Sequence, residues 1–312
     1  MKQIFLLTIQ VDKYRSTALK IFVSSNTSFN KNWKNKWGHE VSKLLSGKQP
    51  NDIFSLGDEL SNIFSSISNS GRGQGNTSEG QGNLSSAGSS WECLIVWYLN
   101  LVAFGSDVII LKSSKKYVPK PIYEASTVNI NNCQTNSEAD IFAFSIPNGA
   151  NLKFSTPNQY KNGLENYIRN NTNLCDLTII QCKTNWNDNA QIPMLWDLIY
   201  NQKGNELPNI ILGVKGLNTK SFRNFSYAFC TVPTQKKAIK ENSIAVHRVR
   251  NLSGGNYWGH STKNNVASSI AELLQRNFIA NLNNNITNHI STQIQTDNSY
   301  INEFLSLNFQ YK

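Results

Sequence analysis

The chain has 312 residues, enough to bury a sizeable core as one large domain or two smaller ones. Its net charge is +10 although only 16% of residues are charged, which favours a polyanionic partner such as nucleic acid over the plainer interpretation of a basic soluble protein. The five cysteines show no CxxC spacing and the longest apolar stretch is interrupted by polar residues, so we expect a cytoplasmic protein with reduced thiols, no zinc knuckle and no membrane span.

Residues 1–68 form the first predicted region. Two β-strands are expected at Ile4–Val11 and Ala18–Val23, followed by the basic aromatic stretch "KNWKNKWGHE". A short amphipathic helix comes next, with one apolar face made by Leu60, Ile63, Phe64 and Ile67.

Residues 69–90 are rich in Gly, Ser and Asn, and their composition predicts a flexible loop that buries almost nothing. Its "GRGQG" is a poor phosphate-binding loop, because no predicted strand precedes it and no GK[ST] closes it.

Residues 91–232 alternate between helix and strand patterns. "SSWECLIVWYLNLVAFG" predicts a largely buried helix that stops near Gly105, and "SDVIIL" and "EADIFAFSIP" predict strands. A buried strand at Leu177–Lys183, a helix at "PMLWDLIYN" and strands at "NIILGV" and "SYAFCTV" follow. The sequence therefore predicts an α/β fold, a mixed central β-sheet flanked by helices, with N- and C-terminal additions.

Residues 233–312 are expected to form a basic DNA-recognition region and then a closing helix. Between Lys236 and Lys263 there are six Lys or Arg residues against one acidic residue, Glu241. The closing helix has one apolar face, made by Ile270, Leu273, Leu274 and Phe278.

The buried strand at Leu177–Lys183 ends in an unusual way, with an amide at Gln181 and an ammonium group at Lys183. Because these residues are two apart in a strand, their side chains point the same way. If the strand that begins near Asp140 is a neighbour, a carboxylate, an amide oxygen and an ammonium group converge at one end of the sheet. Hard oxygen ligands of this kind suit Mg²⁺, and the ammonium group suits a scissile phosphate.

These residues resemble the PD-(D/E)XK nuclease superfamily and, within it, the type II restriction endonucleases. That pattern has an acidic residue on one strand, (D/E)-x-K at the end of the next, and often a Glu on the preceding helix. The matching residues here are Asp140, Gln181-Cys182-Lys183 and Glu92, and the order helix, strand, strand, strand, helix matches over about 88–200. The resemblance implies a restriction-endonuclease-like core and sequence-specific, Mg²⁺-dependent hydrolysis of phosphodiester bonds in double-stranded DNA. Asp140, Gln181, Lys183 and Glu92 would be its catalytic residues.

The sequence departs from this family pattern in two places. Gln181 stands where an acid is usual, so the metal would rely on Asp140, the amide of Gln181, the backbone carbonyl of Cys182, water and Glu92. The long separation between Asp140 and Gln181 also implies an insertion near 148–174. The resemblance further implies double-stranded DNA as partner, allows a homodimer, and predicts a DNA methyltransferase gene as neighbour.

Each candidate residue also has a plainer interpretation. Glu92 could close a capping box with Ser89 at the helix start. Asp140 could be an exposed acid at a strand start, and Lys183 a solvated strand end. Asp176 is an alternative acid, ranked below Asp140 because its position in the strand puts it on the wrong face unless a bulge intervenes.

For DNA contacts, the sequence offers Arg, Lys, Asn and aromatic residues in the two glycine-rich stretches and after the candidate catalytic strand. Arg and Asn can read base edges, while Lys mainly meets phosphate. The candidates are Arg72, Asn185, Asn187, Arg248, Arg250, Asn256, Tyr257, Trp258, His260 and Lys263. The alternative is a basic surface loop with a Trp buried for packing. A function of a different class also remains, namely a non-catalytic nucleic-acid-binding protein that uses the same basic surface.

Overall fold

The run Leu177-Thr178-Ile179-Ile180 lies in the middle strand of the main sheet, where its β-branched side chains are buried on both faces. The structure, a computed structural model, describes residues 2–68, 78–114, 116–136, 139–147, 157–184, 204, 209–232, 243–259 and 266–309. It is α/β, with a mixed five-stranded sheet and a three-stranded antiparallel sheet flanked by helices, so the predicted fold class is confirmed.

Eight strands are described. They are β1 (Val108–Lys112), β2 (Thr127–Ile130), β3 (Cys133–Asn136), β4 (Ile141–Ser145), β5 (Asp176–Lys183), β6 (Ile210–Leu212), β7 (Asn224–Thr231) and β8 (Tyr257–Gly259). The main sheet has the order β1-β4-β5-β7-β8, and the small sheet has the order β3-β2-β6. Strand β5 is antiparallel to β4 and parallel to β7, which makes the main sheet mixed.

The helices in the described ranges are α1 (Lys2–Ser25), α2 (Thr27–Asn32), α3 (Gly38–Leu44), α4 (Pro50–Ser68), α5 (Ser78–Val102), α6 (Lys120–Ser126), α7 (Pro157–Asn170), α8 (Ile244–Ser253), α9 (Ile270–Phe278), α10 (Ile286–Thr296) and α11 (Ser299–Ser306). A π-helical turn, Trp33–Trp37, joins α2 to α3. None of these helices combines the length and the apolar character needed to cross a membrane.

The main sheet separates two hydrophobic cores. The α5-side core contains Ile180 of β5 and packs against α4, α5 and the C-terminal helices. The α7-side core contains Ile179 of β5 and packs against α6, α7 and α8. Successive residues of β5 therefore face different cores, as expected for a strand buried on both faces.

Two indole groups connect the C-terminal helix to the α5-side core. Trp97 of α5 donates its indole N–H to the carbonyl oxygen of Phe304 at 3.0 Å, and Trp33 donates to the carbonyl oxygen of Leu305 at 3.1 Å. These bonds satisfy polar groups that would otherwise be buried without partners, so α11 is an integral part of this core.

The prediction of two N-terminal strands is wrong, because residues 2–25 form the single helix α1. Val11, Tyr14 and Ala18 are spaced three and four apart and face the α7-side core. Leu19 and Val23, four apart, face the α5-side core. Burial of two such helical stripes outweighs the strand preference of the short apolar runs.

The loop predicted at 69–90 is also corrected. Helix α5 begins at Ser78 and continues through the Gly- and Ser-rich stretch into the buried segment that starts at Ser90. Each added residue extends an existing helix without a new nucleation cost, so a weak helical composition is tolerated next to a well-packed segment. Residues 69–77 lie outside the described ranges.

Other predicted elements agree with the structure. The helix containing Leu60 is α4, the predicted helix ends close to Gly105, and α9 buries Ile270, Leu273, Leu274 and Phe278. Helix α7 lies within the insertion expected near 148–174, whereas the helix predicted at "PMLWDLIYN" lies outside the described residues. Helix α9 does not end the chain, since α10 and α11 follow it.

Candidate active site

Strand pairing brings Asp140 next to Gln181. In the antiparallel pair of β4 and β5, Ile141 lies opposite Ile180, so the residue before Ile141 meets the residue after Ile180. Side chains of directly opposite residues lie on the same side of a sheet. The carboxylate also joins the two strand ends, since Asp140 Oδ2 accepts the backbone N–H of Cys182 at 2.8 Å. The side chain of Asp140 thus continues the hydrogen bonding between β4 and β5 beyond their last main-chain pair.

Gln181 is completely buried, and its amide is the least satisfied polar group of the arrangement. Neither Oε1 nor Nε2 has a hydrogen-bond partner among the described residues. A buried amide without partners costs about 1–3 kcal/mol, so a native protein normally supplies a partner or a ligand for it.

The backbone carbonyl of Cys182 faces the β4 edge of β5. The carbonyl oxygen of Lys183 accepts from the backbone N–H of Val232, at 2.9 Å, on the β7 side of the strand. Because backbone groups of successive strand residues alternate between the two edges, Cys182 presents its carbonyl to the β4 side, where β4 has ended. The half-buried side chain of Lys183 is on the same side of the strand as that of Gln181.

Charged groups surround the thiol of Cys182. Burial raises its pKa well above the usual value, the neighbouring Cys230 and the negative charges of Asp140 and Glu92 raise it further, and the positive charge of Lys183 lowers it. The thiol therefore stays protonated and is a poor nucleophile. The same set of interactions indicates that Asp140, Glu92 and Lys183 all lie within electrostatic reach of Cys182.

Glu92 reaches this end of the sheet from the other face. It lies in the interior of α5, so the capping-box interpretation with Ser89 is wrong. Its Oε2 forms an ion pair with Lys112 Nζ at 2.6 Å, and the same ammonium group donates to Ser89 Oγ at 3.0 Å. Lys112 ends β1 and was not singled out from the sequence, although a Lys that closes the apolar run "VIIL" repeats the pattern seen at Lys183.

Asp176 lies at the opposite end of β5 and is engaged in a structural network. Arg223 binds its carboxylate through Nε, at 2.8 Å, and through Nη2, while Asn224 and Ser145 also donate to it. An Arg fork and two further donors already occupy the oxygens of this carboxylate, so a metal ion would have to displace them.

The oxygen atoms near Asp140 are compatible with Mg²⁺. No group of three His, Cys, Asp or Glu side chains that could hold a metal occurs in the described part of the chain. Mg²⁺ does not require such a group, since it is usually held by one or two carboxylates and completes its shell with water and phosphate oxygens. The unpartnered amide of Gln181, the carboxylate of Asp140 and the Cys182 carbonyl fit that requirement.

The predicted DNA contacts divide into three groups. Arg248 and Arg250 are exposed on α8, where a partner could reach them. Asn256, Tyr257 and Trp258 are buried, so their prediction as surface contacts is wrong. Arg72, Asn185, Asn187, His260 and Lys263 lie outside the described residues.

The three buried residues have partners inside the protein. Asn256 Nδ2 donates to the carbonyl oxygen of Tyr227 at 3.0 Å. Trp258 donates its indole N–H to Asp58 at 3.1 Å and stacks on Trp91. The alternative of a Trp buried for packing therefore describes Trp258 correctly.

Comparison of the chain with models of known protein families and with curated proteins finds no match.

Proposed function

We propose that this protein is a Mg²⁺-dependent endonuclease that hydrolyses phosphodiester bonds in double-stranded DNA, in the manner of a type II restriction enzyme. The observation that carries the proposal is the register of β4 and β5, which puts Asp140 opposite Gln181 with Lys183 two residues further along the same side. A structural role explains the Asp140 bond to Cys182, but it does not explain a buried amide without a partner beside it.

Asp140, Gln181 and the Cys182 carbonyl would hold the metal, which when bound supplies positive charge to a phosphate oxygen. The ammonium group of Lys183 is suited to orient a water molecule and to stabilise the negative charge that develops on the phosphate. The water oxygen forms a new bond to phosphorus while the ester bond to the leaving oxygen breaks. The attacking water releases one proton to the solvent and the leaving oxygen takes one up, giving a phosphate end and a hydroxyl end.

The alternative, a non-catalytic nucleic-acid-binding protein, is favoured by one observation. Glu92 is paired with Lys112 and Gln181 is neutral, so the candidate set offers less negative charge to a metal ion than the family pattern does. Such a protein would bind DNA through exposed cations such as Arg248 and Arg250 without cleaving it.

The proposal predicts that the protein cuts plasmid DNA into discrete fragments when Mg²⁺ is present. Lys183→Ala should lower the cleavage rate by at least about 100-fold while DNA affinity stays within a few-fold, because Lys183 acts mainly in the transition state. Gel analysis of cleavage and anisotropy measurements of binding separate the two quantities.

Lys220→Ala is the matched control, since it removes a lysine from an exposed position in the turn before β7 and should leave cleavage unchanged. Full cleavage by Lys183→Ala would remove Lys183 from the active site. DNA binding without cleavage in Mg²⁺ or Mn²⁺ would favour the binding protein instead.

A further inference from the structure

A polar groove opens at the end of β1, beside the candidate active site. Its volume is about 530 Å³, and it lies between the C-terminal end of α1 and the residues that follow β1. Ser25, Thr27, Ser28 and Ser114 contribute hydroxyl groups to its wall, and Lys112 contributes its ammonium group. We call it the Lys112 groove.

The Lys112 groove lies close to the candidate active site, to which a main-chain hydrogen bond connects it. Ser113, which lines the groove, donates its backbone N–H to the carbonyl oxygen of Asp140 at 2.8 Å. The Glu92–Lys112 ion pair lies at this junction, since Lys112 lines the groove and pairs in the sheet with Ile141, the residue after Asp140. A long ligand bound in the groove would therefore pass next to Asp140.

The donors in the groove suit an anion. A lysine ammonium group has three N–H donors; Glu92 and Ser89 accept two of them, and Nζ also lies over the Phe22 ring, 5.6 Å from its centroid. The structure describes no hydrogen-bond partner for the hydroxyl groups of Thr27 and Ser28, which line the same groove. One ammonium donor and two hydroxyl groups are then available to a phosphate group.

Two aromatic rings, Phe22 and Tyr117, complete the lining. Both are partly exposed, and Lys116 lies over the Tyr117 ring with its Nζ 5.4 Å from the ring centroid. Aromatic rings beside hydroxyl and ammonium donors are the combination that binds a nucleic-acid strand, in which flat bases alternate with phosphates.

We propose that the Lys112 groove binds one strand of the nucleic acid next to the bond that is cut, with a backbone phosphate at Lys112 and one base, unstacked from the duplex, against Phe22 or Tyr117. This inference rests on the proposed function and adds the path of the substrate to it. The strand would enter along the groove and continue past Asp140.

The first test compares two substitutions that each add one negative charge at an exposed position. Thr27→Glu introduces a carboxylate into the groove, whereas Ser46→Glu introduces one outside it. Binding of a fluorescent DNA duplex is measured by anisotropy in EDTA, so that no cleavage occurs. We expect Thr27→Glu to weaken binding about tenfold and Ser46→Glu to change it less than twofold.

The second test locates the strand directly. A duplex containing 5-iododeoxyuridine is irradiated with the protein, and cross-linked peptides are identified by mass spectrometry. Cross-links to Phe22 or Tyr117 would support the proposal, and Tyr117→Leu should remove the cross-link at that position.

The outcomes separate the two proposals. Equal affinities of the Thr27→Glu and Ser46→Glu proteins, or cross-links confined to other peptides such as α8, would overturn the Lys112 groove while leaving the nuclease proposal in place. Absence of any DNA binding would overturn both. Groove cross-links without cleavage in Mg²⁺ would support the groove and contradict the nuclease.

Discussion

At the scale of single residues, Gln181 is the most informative position. Its amide is buried without a described partner, so removing the amide should not reduce the stability of the metal-free protein. A buried carboxylate at the same position, in contrast, is costly unless a cation neutralises it. The role of Gln181 as a metal ligand can therefore be tested by measuring protein stability, without an activity assay.

We therefore predict opposite effects for two substitutions at Gln181. Gln181→Glu should lower the melting temperature in EDTA and should restore it on addition of Mg²⁺ by more than the wild type gains, because the added charge binds the ion. Gln181→Leu should melt at or above the wild-type temperature but cleave DNA at least about tenfold more slowly. Thermal unfolding and cleavage rates as functions of Mg²⁺ concentration give both quantities. Wild-type cleavage by Gln181→Leu at every Mg²⁺ concentration would mean that Gln181 only packs.

Asp140 and Asp176 lie at the two ends of the β4–β5 pair. Replacing each with Asn should have different effects on folding stability and on DNA cleavage. Asp140→Asn keeps an oxygen that can accept the Cys182 N–H but removes the charge, so it should fold normally and lose metal-dependent cleavage. Asp176→Asn weakens the contact with Arg223 and should cost roughly 2 kcal/mol of folding free energy, while the folded fraction still cleaves. Denaturant unfolding and cleavage assays on both variants check this. Loss of cleavage in a folded Asp176→Asn protein, with cleavage retained in Asp140→Asn, would show that the wrong acid was assigned.

At the scale of elements, the end of the main sheet remote from Lys183 holds two buried titratable side chains whose effects on stability depend on pH in opposite directions. Burial raises the pKa of Asp107, just before β1, to about 6, and lowers the pKa of His289 in α10 to about 4. The raised pKa of Asp107 gives stability that is complete below its unfolded value and lost as pH rises toward 6. The lowered pKa of His289 gives stability that is present above pH 6.5 and lost as pH falls through 4. The two responses oppose each other over the same range of pH.

Removing the histidine should leave the aspartate response uncompensated. Between pH 7 and pH 4, the free energy of unfolding of His289→Gln should rise relative to that of the wild type by roughly 3 kcal/mol, since each pKa unit corresponds to about 1.4 kcal/mol. Urea unfolding at several pH values measures this difference. Parallel curves for His289→Gln would show that His289 does not titrate as an isolated buried group.

Elements differ in how far the sequence predicts them, and the reasons are physical. Strand β5 was predictable because its short run of β-branched residues suits a strand buried on both faces, and helix α9 because its apolar residues repeat with helical spacing. Helix α1 contains two short apolar runs that imitate strands, and only the spacing of Val11, Tyr14 and Ala18 indicates its helical face. The start of α5 carries no such signal, since its helical state depends on packing at Ser90 and beyond.

At the scale of the whole molecule, the candidate site was predictable only in part. Residue types and spacing indicated that Gln181 and Lys183 share a side, and the structure adds the register that brings Asp140 to them. Two other contacts join residues that are separated in the chain. One is the ion pair of Glu92 with Lys112, and the other is the hydrogen bond from the buried Trp258 to Asp58. Contacts at such separations are set by the packing of the complete fold, which single-sequence patterns do not contain.

The hydrogen bonds from the indole groups of Trp33 and Trp97 to α11 have a consequence for synthesis on the ribosome. Trp33 and Trp97 leave the ribosome well before the carbonyl groups of Phe304 and Leu305 that accept their N–H groups. At translation rates of roughly 5–20 residues per second, α5 is synthesised at least about ten seconds before α11. The apolar surface of α5 that α11 covers in the folded protein stays exposed for that time. During that interval the nascent chain offers a surface for chaperones or for neighbouring chains, so the order of translation exposes α5 to misassembly.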